Sequence, residues 1–356
     1  MKKIGILTFQ FADNYGALLQ AYALKYSLIR LGHNVQVINY IRKQCPIKKK
    51  LAFKQHIKNI LKLPLVPFHY YIHTRFTGFR KKYITDSPIL HKLTKIKDEY
   101  DLFITGSDQV FNPRITGFDD NYFLSFSPDI SKNASYAASF GFEAKDLSEK
   151  EKTFIGKNLE HLKCLSVREQ KGDEITRTLA GRPAQVHIDP TLLSNKTEWQ
   201  TLAKMPARKP YVLLYLMHKD MALISFARKL ARAKGCELLY ISSTMDIKNR
   251  VHAKHITPTP QEWLGLFAKA EYVVTNSFHG LAFSINFNKT FFVGKLPASW
   301  PANSRLDNLL NITNLHGRIY TDFEKNYEEP IDWSYVNKIL DEERKKALNY
   351  LQEITK

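Results

Sequence analysis

The sequence predicts an α/β protein made of two doubly wound domains that face a cleft. Three observations support this fold class. The chain has 356 residues, a length that suits two domains. It opens with a strand–helix–strand pattern, which favours a parallel sheet. A second series of alternating strands and helices begins after residue 210.

The first series starts at the amino terminus. Residues 3–9 form an apolar run that predicts a buried strand, and residues 15–31 carry apolar side chains at helical spacing. Gly32 follows and predicts the end of that helix. Further strands are expected at 34–40, 101–105, 134–139, 164–167 and 184–188, with a helix over 147–162.

The stretch Pro206–Pro210 contains two prolines and predicts a linker. Beyond it, strands are expected at 211–216, 237–241, 272–275 and 290–293, and helices at 219–234, 260–269 and 278–288. We therefore expect a first domain over residues 1–205, a second over 206–333, and a closing helix over 334–356.

Composition limits the classes of partner. The chain has 53 Lys and Arg against 34 Asp and Glu, a net charge of +19, which implies anionic partners such as phosphate, nucleic acid or an acidic membrane. The sequence contains no nucleic-acid-binding motif, so no nucleic acid is expected. Its three cysteines form no CxxC pair, and no metal-ligand spacing is present, so we predict no metal site.

One segment concentrates the positive charge. Residues 41–85 hold 12 Lys and Arg, no Asp or Glu, and several interleaved aromatic residues. One interpretation is a solvated helical insertion whose charge aids solubility. The other is a surface that docks on an anionic membrane or a lipid-linked substrate. No run reaches the roughly 18 apolar residues of a membrane span, and no secretory segment is recognisable, which predicts a cytoplasmic protein.

Polar residues follow several of the predicted strands, where doubly wound sheets bind their ligands. The first such turn holds Asp13, Asn14, Tyr15 and Gly16, and Asp13 is the only carboxylate in the first 85 residues. This turn fits a helix N-cap or a ligand site at a helix N-terminus. The turn after 101–105 contains Ser107 and Asp108.

Three basic groups lie in similar positions. Arg168 follows the 164–167 strand, where it could bind an anion or form an exposed ion pair with Glu169 or Glu174. His279, in a turn with Asn276 and Ser277, opens a helix directly after a strand and could act as a general acid or base. Arg305 begins a helix and could complete an anion site or pair with Asp307.

Taken in order, these pieces resemble the polysaccharide pyruvyl transferase family across most of the chain. The matching pieces are KIGILTFQFADNYGALLQAYAL at 3–24, FITGSDQVFNP at 103–113, SYAASFG at 135–141, LSVREQKG at 165–172, HIDPTLL at 187–193, VTNSFHGLAFSINFNK at 274–289 and NSR at 303–305. The resemblance implies two Rossmann-like domains in a GT-B-like arrangement. The first domain would bind the acceptor and the second the donor.

The family resemblance also implies a reaction. Its members transfer the enolpyruvyl unit of phosphoenolpyruvate, a donor substrate rather than a cofactor, onto two sugar hydroxyls, giving a cyclic pyruvate ketal and phosphate. His279 would be the general acid or base, and Arg168 would bind the phosphoenolpyruvate anion. Many members have an arginine two positions before this histidine, where this chain has Ser277. Arg305 could replace that cation, and Asp13 could orient or deprotonate an acceptor hydroxyl.

We therefore expect a pyruvyltransferase of cell-surface polysaccharide biosynthesis, acting on capsule or exopolysaccharide precursors. The basic segment suggests a saccharide acceptor on a lipid diphosphate, and a peripheral position on the inner face of the membrane. Two other functions remain open on the sequence. One is a nucleotide-sugar-dependent glycosyltransferase of the same two-domain shape. The other is a non-catalytic basic protein that binds membranes or glycans.

Overall fold

The computed structural model describes residues 1–42, 66–85, 87–242, 253–297, 303–321 and 329–356, with backbone alone at 66–70 and 242. The chain forms two compact units. Unit 1 comprises Met1–Pro190 and Leu348–Lys356, and unit 2 comprises Thr191–Ala347. Residues 43–65 of the basic segment, which include Lys48, Lys49 and Lys50, lie outside the described residues.

Unit 1 is built on parallel strands. Its main sheet has the order β2-β1-β3-β4, with β1 Lys3–Leu7, β2 Asn34–Val37, β3 Leu102–Thr105 and β4 Asn133–Ser135. A two-stranded sheet pairs β5 Ser166–Val167 with β6 Gln185–Val186. Bridges from Ala134 to Cys164 and from Ala138 to Val167 continue the pairing from the main sheet to β5. All carboxyl ends of these strands therefore lie along one edge.

Helices cover this sheet. They are α1 Tyr15–Arg30, α2 Val66–Phe79, which continues as a π-helix over Arg80–Ile84, α3 Pro113–Thr116, α4 Glu149–Leu159 and α5 Gln170–Ala180. Short 3₁₀ turns occur at Thr94–Ile96, Asp120–Phe123, Ile130–Lys132, Ala144–Asp146 and Pro190–Leu192. The core beneath is rich in aromatic rings, and Phe111 stacks on Phe123 at a centroid distance of 4.6 Å.

Unit 2 contains a five-stranded parallel sheet of order β11-β10-β7-β8-β9. The strands are β7 Tyr211–Leu216, β8 Glu237–Ser242, β9 Lys254–Ile256, β10 Tyr272–Thr275 and β11 Thr290–Val293. The helices are α6 Lys196–Leu202, α7 Met221–Ala233, α8 Pro260–Lys269, α9 Phe278–Asn286, α10 Asn303–Thr313 and α11 Trp333–Ile354, with a 3₁₀ turn at His316–Arg318. The central strand β7 is buried along its whole length, as its apolar sequence requires.

The division between the units falls at Pro190, before the Pro206–Pro210 stretch rather than at it. Helix α6 explains why. The Trp199 indole packs edge-on against Phe283 at a centroid distance of 5.0 Å, and its N–H donates to the Thr191 carbonyl. The Lys204 N–H donates to the carbonyl of Gln261. Residues 191–205 therefore pack against helices α8 and α9 of unit 2.

Helix α11 begins in unit 2, and its last turns belong to unit 1. In unit 2 the Arg344 guanidinium donates to the Leu192 carbonyl at 2.7 Å. In unit 1 the Tyr350 hydroxyl donates to the Ser135 carbonyl of β4 at 2.8 Å. Across the described parts of the chain, no helix is both long enough and apolar enough to span a membrane.

His187 lies directly after β6, beneath the end of α11. Its Nδ1 is 2.8 Å from the Ser166 Oγ, and its ring lies 4.6 Å from the Tyr350 ring. Burial lowers the pKa of His187 from 6.5 to about 4. The native protein therefore holds this imidazole neutral under conditions where the unfolded chain would protonate it.

Because the pKa of His187 is lower in the native state than in the unfolded chain, acid destabilises the protein. Between pH 6.5 and 4 the unfolded chain binds a proton at His187 that the native state does not, so stability falls as the pH falls. Between pH 7 and pH 4.5 we expect the wild type to lose about 2–3 kcal/mol more free energy of unfolding than His187→Gln loses. Urea unfolding of both proteins at both pH values measures this difference. The control is His255→Gln on the exposed β9. Equal pH dependence in the wild type and His187→Gln would contradict this assignment.

Candidate active site

A buried ion cluster joins three strand ends of unit 1. The Arg168 side chain, 2% exposed, follows β5 and donates from Nη1 to Asp189 Oδ2 at 2.7 Å. Asp108, after β3, and Glu169 each have a carboxylate oxygen 3.8 Å from the same guanidinium. Burial by itself lowers the pKa of Arg168, but the three carboxylates outweigh it and raise this pKa above its ordinary value.

Hydroxyl groups extend the cluster. The Ser107 Oγ lies 3.0 Å from Asp189 Oδ2 and 2.8 Å from the Ala137 carbonyl oxygen. The Ser139 hydroxyl donates to Glu169 Oε1 at 2.7 Å. The Ser107 N–H donates to the side chain of Gln20. Ser107 and Asp108 therefore lie together with Arg168, in a network that connects the turns after β3, β5 and β6.

This geometry bears on the expected role of Arg168. The guanidinium is buried rather than surface-exposed, and its close partner is Asp189 rather than Glu174, which pairs with Lys171. Three carboxylates within 4 Å already compensate the charge of the one guanidinium, which leaves it less able to attract a further anion. The arrangement favours a positioning role for Arg168, holding the strand-end turns together.

The first turn of unit 1 follows β1. Asn14 caps α1, its side chain accepting from the Ala17 N–H at 3.1 Å. Tyr15 and Gly16 are buried in the first helical turn, and the Tyr15 ring contacts Phe76. Asp13 lies just before the cap and remains about one-third exposed. Asp13 is the charged residue of this turn, whereas its three neighbours build the helix start.

Two residues of the basic segment contact Asp13. Arg80 donates to Asp13 Oδ1 at 2.8 Å, and His73 Nδ1 lies 2.9 Å from Asp13 Oδ2. Neither partner was predicted from the sequence, because they lie 60 and 67 residues away in a helix with no motif. Asp189 was not predicted as the partner of Arg168 either. Asp189 could have been found, since it directly follows a predicted strand next to β5.

In unit 2 the turn after β10 is held by side-chain amide and hydroxyl groups. The Asn276 side chain accepts from the Met217 N–H at 2.9 Å and donates to the His218 carbonyl at 2.7 Å. These bonds connect the end of β10 to the end of β7. Ser277 caps α9, accepting from the Gly280 N–H at 3.3 Å. Asn276 and Ser277 therefore fix the backbone that carries His279.

Gly280 is required by close packing. A Cβ atom there would lie 2.3 Å from the Thr275 Oγ1 and 3.1 Å from the Tyr215 ring. The Thr275 hydroxyl itself donates to the Tyr215 carbonyl at 2.6 Å. Because only glycine fits, α9 starts close against β10, which places His279 directly at the strand end.

His279 lies in the first turn of α9 with aromatic and cationic neighbours. Its ring meets Phe278 edge-on at 5.1 Å, and the Arg305 guanidinium lies 5.9 Å from the Phe278 ring centroid. Arg305 is 9% exposed, and His279 is 8% exposed. The structure therefore brings together a histidine, an arginine and the positive end of a nine-residue helix. Such a set can hold an anion and move a proton.

Within the described ranges, no group of three or more His, Cys, Asp or Glu side chains is arranged to hold a metal ion. Each candidate residue thus belongs to one of three places. The turn after β1 holds Asp13, the buried cluster of unit 1 holds Arg168, and the α9 turn of unit 2 holds His279 with Arg305.

Comparison with known proteins identifies the family. The sequence matches the family model of the polysaccharide pyruvyl transferases over residues 14–293, most of the chain. The chain therefore belongs to the polysaccharide pyruvyl transferase family. No curated protein sequence matches it significantly.

Solved structures share the fold at low sequence identity. UDP-GlcNAc 2-epimerase from Neisseria meningitidis, bound to UDP-GlcNAc, has a TM-score of 0.53 and 8% identity, covering 100% of this chain and 99% of its own. The UDP-GlcNAc 2-epimerase from Methanocaldococcus jannaschii has a TM-score of 0.50 and 10% identity, covering 95% and 91%. These similarities show the fold, and they confirm the predicted GT-B-like α/β class.

The buried cluster predicts a large stability effect. Arg168→Met leaves three carboxylates facing one another with no guanidinium, and we expect a loss of about 3–5 kcal/mol in the free energy of unfolding. Lys171→Met is the control, because it removes an exposed Lys171–Glu174 pair and should change stability by less than about 0.5 kcal/mol. Urea unfolding measures both. If the two variants unfold alike, Arg168 is not required for the fold and anion binding becomes its better explanation.

Proposed function

We propose that this member of the polysaccharide pyruvyl transferase family transfers the pyruvyl unit of phosphoenolpyruvate onto a saccharide, forming a pyruvate ketal and inorganic phosphate. Family membership supports the reaction class. The observation that carries the assignment of the site is the α9 turn, where His279 and Arg305 both lie beside one aromatic ring, that of Phe278.

The donor carries two anionic groups, a carboxylate and a phosphate. The amide end of α9 and the Arg305 guanidinium are the cationic or amide groups that the α9 turn supplies. Arg305 also suits the position of the missing family arginine. Its guanidinium lies 5.9 Å from the ring centroid of Phe278, the residue that follows Ser277, and Ser277 is the position at which many family members have that arginine. We therefore assign donor binding to unit 2.

The chemistry requires a proton at the donor methylene. In the proposed reaction His279 gives its proton to C3, and C2 becomes electrophilic. One acceptor hydroxyl loses its proton and bonds to C2, and the second hydroxyl then displaces phosphate from C2. One hydroxyl proton restores His279, which gave its own proton to C3, and the proton of the other hydroxyl leaves with inorganic phosphate. No oxidation or reduction occurs, so no redox cofactor is needed.

The acceptor is proposed to be a saccharide on a lipid diphosphate, met at an anionic membrane surface. The charge of residues 41–85 supports this, because a basic segment with aromatic side chains suits such a surface. A nucleotide-sugar-dependent glycosyltransferase is the alternative enzyme. It is tested by UDP-GlcNAc, the compound bound in the Neisseria meningitidis structure.

The first functional prediction concerns His279. His279→Ala should lower phosphate release from phosphoenolpyruvate by about 10²–10⁴-fold, because general acid–base help is lost. Donor binding should survive, seen as the same rise in unfolding temperature with phosphoenolpyruvate as in the wild type. A native-state ligand at 100 times its Kd adds about 2.7 kcal/mol of stability.

The controls are His255→Gln, inorganic phosphate, sulfate and UDP-GlcNAc. Acceptors are supplied as free saccharide and as the same saccharide on a lipid diphosphate in anionic vesicles. Near-normal turnover in His279→Ala would remove this residue from the mechanism. A thermal shift with UDP-GlcNAc but none with phosphoenolpyruvate would instead favour glycosyl transfer.

The second functional prediction concerns Arg305, the proposed replacement for the family arginine. Arg305→Met should weaken phosphoenolpyruvate binding at least tenfold, because a charge-assisted contact to an anion is removed. Adding Ser277→Arg to that variant should restore part of the affinity by returning an arginine to the family position. Ser277→Ala in the same background controls for the lost helix cap. Unchanged affinity in Arg305→Met, measured by calorimetry, would exclude Arg305 from the donor site.

A further inference from the structure

Helices α1 and α2 of unit 1 lie side by side and run in the same direction. The ring of Tyr15, at the start of α1, is 4.8 Å from the ring of Phe76 in α2. Seven residues further along each chain, the Tyr22 ring is 6.0 Å from the Tyr83 ring of the π-helical turn that extends α2. The two helices therefore form one layer on the surface of unit 1.

The exposed side of this layer repeats one arrangement, in which a cationic group lies beside a tyrosine ring. There are three such pairs on the described parts of the two helices. Measured from the charged group to the ring centroid, they are Arg30 with Tyr26 at 5.7 Å, Arg75 with Tyr71 at 5.3 Å, and Lys82 with Tyr83 at 5.1 Å. These contacts combine aromatic surface with positive charge along both helices.

Helical spacing places these side chains on one face. On α1, Tyr26, Ile29 and Arg30 are three and four residues apart. Tyr26 and Ile29 are 38% and 45% exposed, so an aliphatic side chain lies in the open beside the ring. On α2, Tyr71, 47% exposed, shares its face with a residue four positions on.

The stripes on the two helices are continuous. Tyr22 stacks on Tyr26 at a centroid distance of 5.7 Å and also meets Tyr83, which carries Lys82 beside it. We call this surface the basic–aromatic face. It comprises Tyr26, Ile29, Arg30, Tyr71, Arg75 and Lys82.

The charge of the face is of one sign. Residues 14–85, which include the whole of both helices, contain no Asp or Glu. The carboxylate that precedes them, Asp13, is already bound by Arg80 of the π-helical turn at 2.8 Å. Neither helix therefore supplies a carboxylate that would offset the cations of the face.

We propose that the basic–aromatic face docks unit 1 on the anionic surface of a lipid bilayer. Lysine and arginine reach lipid phosphates while tyrosine rings and an aliphatic side chain enter the headgroup layer, and this face offers both. The inference deepens the proposed function, on which it rests for the acceptor, by locating the membrane contact. Part of that contact is the α1 stripe, which lies outside the basic segment 41–85.

Nucleic acid suits this face less well. Single strands bind to cationic proteins by stacking bases on aromatic rings. Here each of the three rings already has a cationic group beside it, and Tyr26 also stacks on Tyr22. The exposed Ile29 side chain gains more from the apolar part of a bilayer than from a phosphate backbone.

The face borders the carboxyl edge of the unit 1 sheet. Two residues after Tyr71, His73 Nδ1 lies 2.9 Å from Asp13 Oδ2 in the turn after β1. Ligands of doubly wound sheets bind at that edge. Docking through this face would therefore hold the edge beside the bilayer surface, where a saccharide on a lipid diphosphate is presented.

The test is sedimentation of the full chain with vesicles of phosphatidylglycerol and phosphatidylcholine. At low salt, Arg75→Gln with Lys82→Gln should weaken binding by about 25-fold, because each cation near an anionic bilayer contributes roughly fivefold. The matched control is Lys152→Gln with Lys171→Gln, which removes the same charge from exposed positions on α4 and α5 and should bind as the wild type does. Pure phosphatidylcholine vesicles should bind none of the proteins well.

A second variant separates apolar contact from charge. Ile29→Ser with Tyr71→Ser should weaken the binding that persists at high salt, because burial of apolar surface is not screened by ions. With donor present, the charge variant should also turn over acceptor on vesicles more slowly than the wild type, while turnover of the free saccharide stays unchanged. Equal unfolding temperatures show that the variants are folded.

Unchanged vesicle binding in the charge variant would overturn the proposal. Equal losses in the charge variant and its control would overturn it too, since net charge alone would then explain binding. So would a wild type that binds single-stranded RNA but not the anionic vesicles. A wild type that binds vesicles through this face yet neither binds nor consumes phosphoenolpyruvate would refute the proposed pyruvyl transfer and leave the docking face intact.

Discussion

Unit 1 depends on the compensation of one buried positive charge. The Arg168 guanidinium has almost no contact with water, so the strand ends that approach it must supply carboxylates. Asp189 meets it directly, and Asp108 and Glu169 stand within 4 Å. These groups come from the turns after β3, β5 and β6. The short β5 and β6 pair over two residues each, and the ion cluster fixes their ends where backbone hydrogen bonds are few.

In unit 2 a strand-end turn is held by neutral groups. The central strands there are longer than β5 and β6, and the turn that carries His279 is held by the amide of Asn276 and the hydroxyl of Thr275. Because these groups are neutral, the electrostatic potential at the α9 turn is set by the N-terminal end of the helix and by Arg305, both of which are positive. In the cluster of unit 1, by contrast, three carboxylates face one guanidinium. The two units therefore hold their strand-end turns by different means, through ions in unit 1 and through neutral hydrogen bonds at the α9 turn of unit 2.

Strands and helices with a strong hydrophobic pattern were predicted from the sequence, and an element with a weak pattern was not. Strands such as Tyr211–Leu216 are continuous apolar runs, and they were placed within a residue or two. Strand Lys254–Ile256 has two polar residues out of three and lies at a sheet edge, so it has no apolar signature. The His279 turn was found because strand, cap and helix are contiguous. The His73–Asp13 contact was not, because only the tertiary fold brings the basic helix to the first turn.

The path of α11 has a consequence for the order in which the protein can be completed during synthesis. Unit 1 includes Leu348–Lys356, and Tyr350 donates to the β4 carbonyl of Ser135, a bond that spans 215 residues. The ribosome must translate all of unit 2 before these residues exist, which takes on the order of ten seconds at roughly 5–20 residues per second. Throughout that interval the nascent first unit lacks the ring that packs beside His187. A chaperone that binds exposed apolar surface would find its target there, where the end of α11 later packs beside His187.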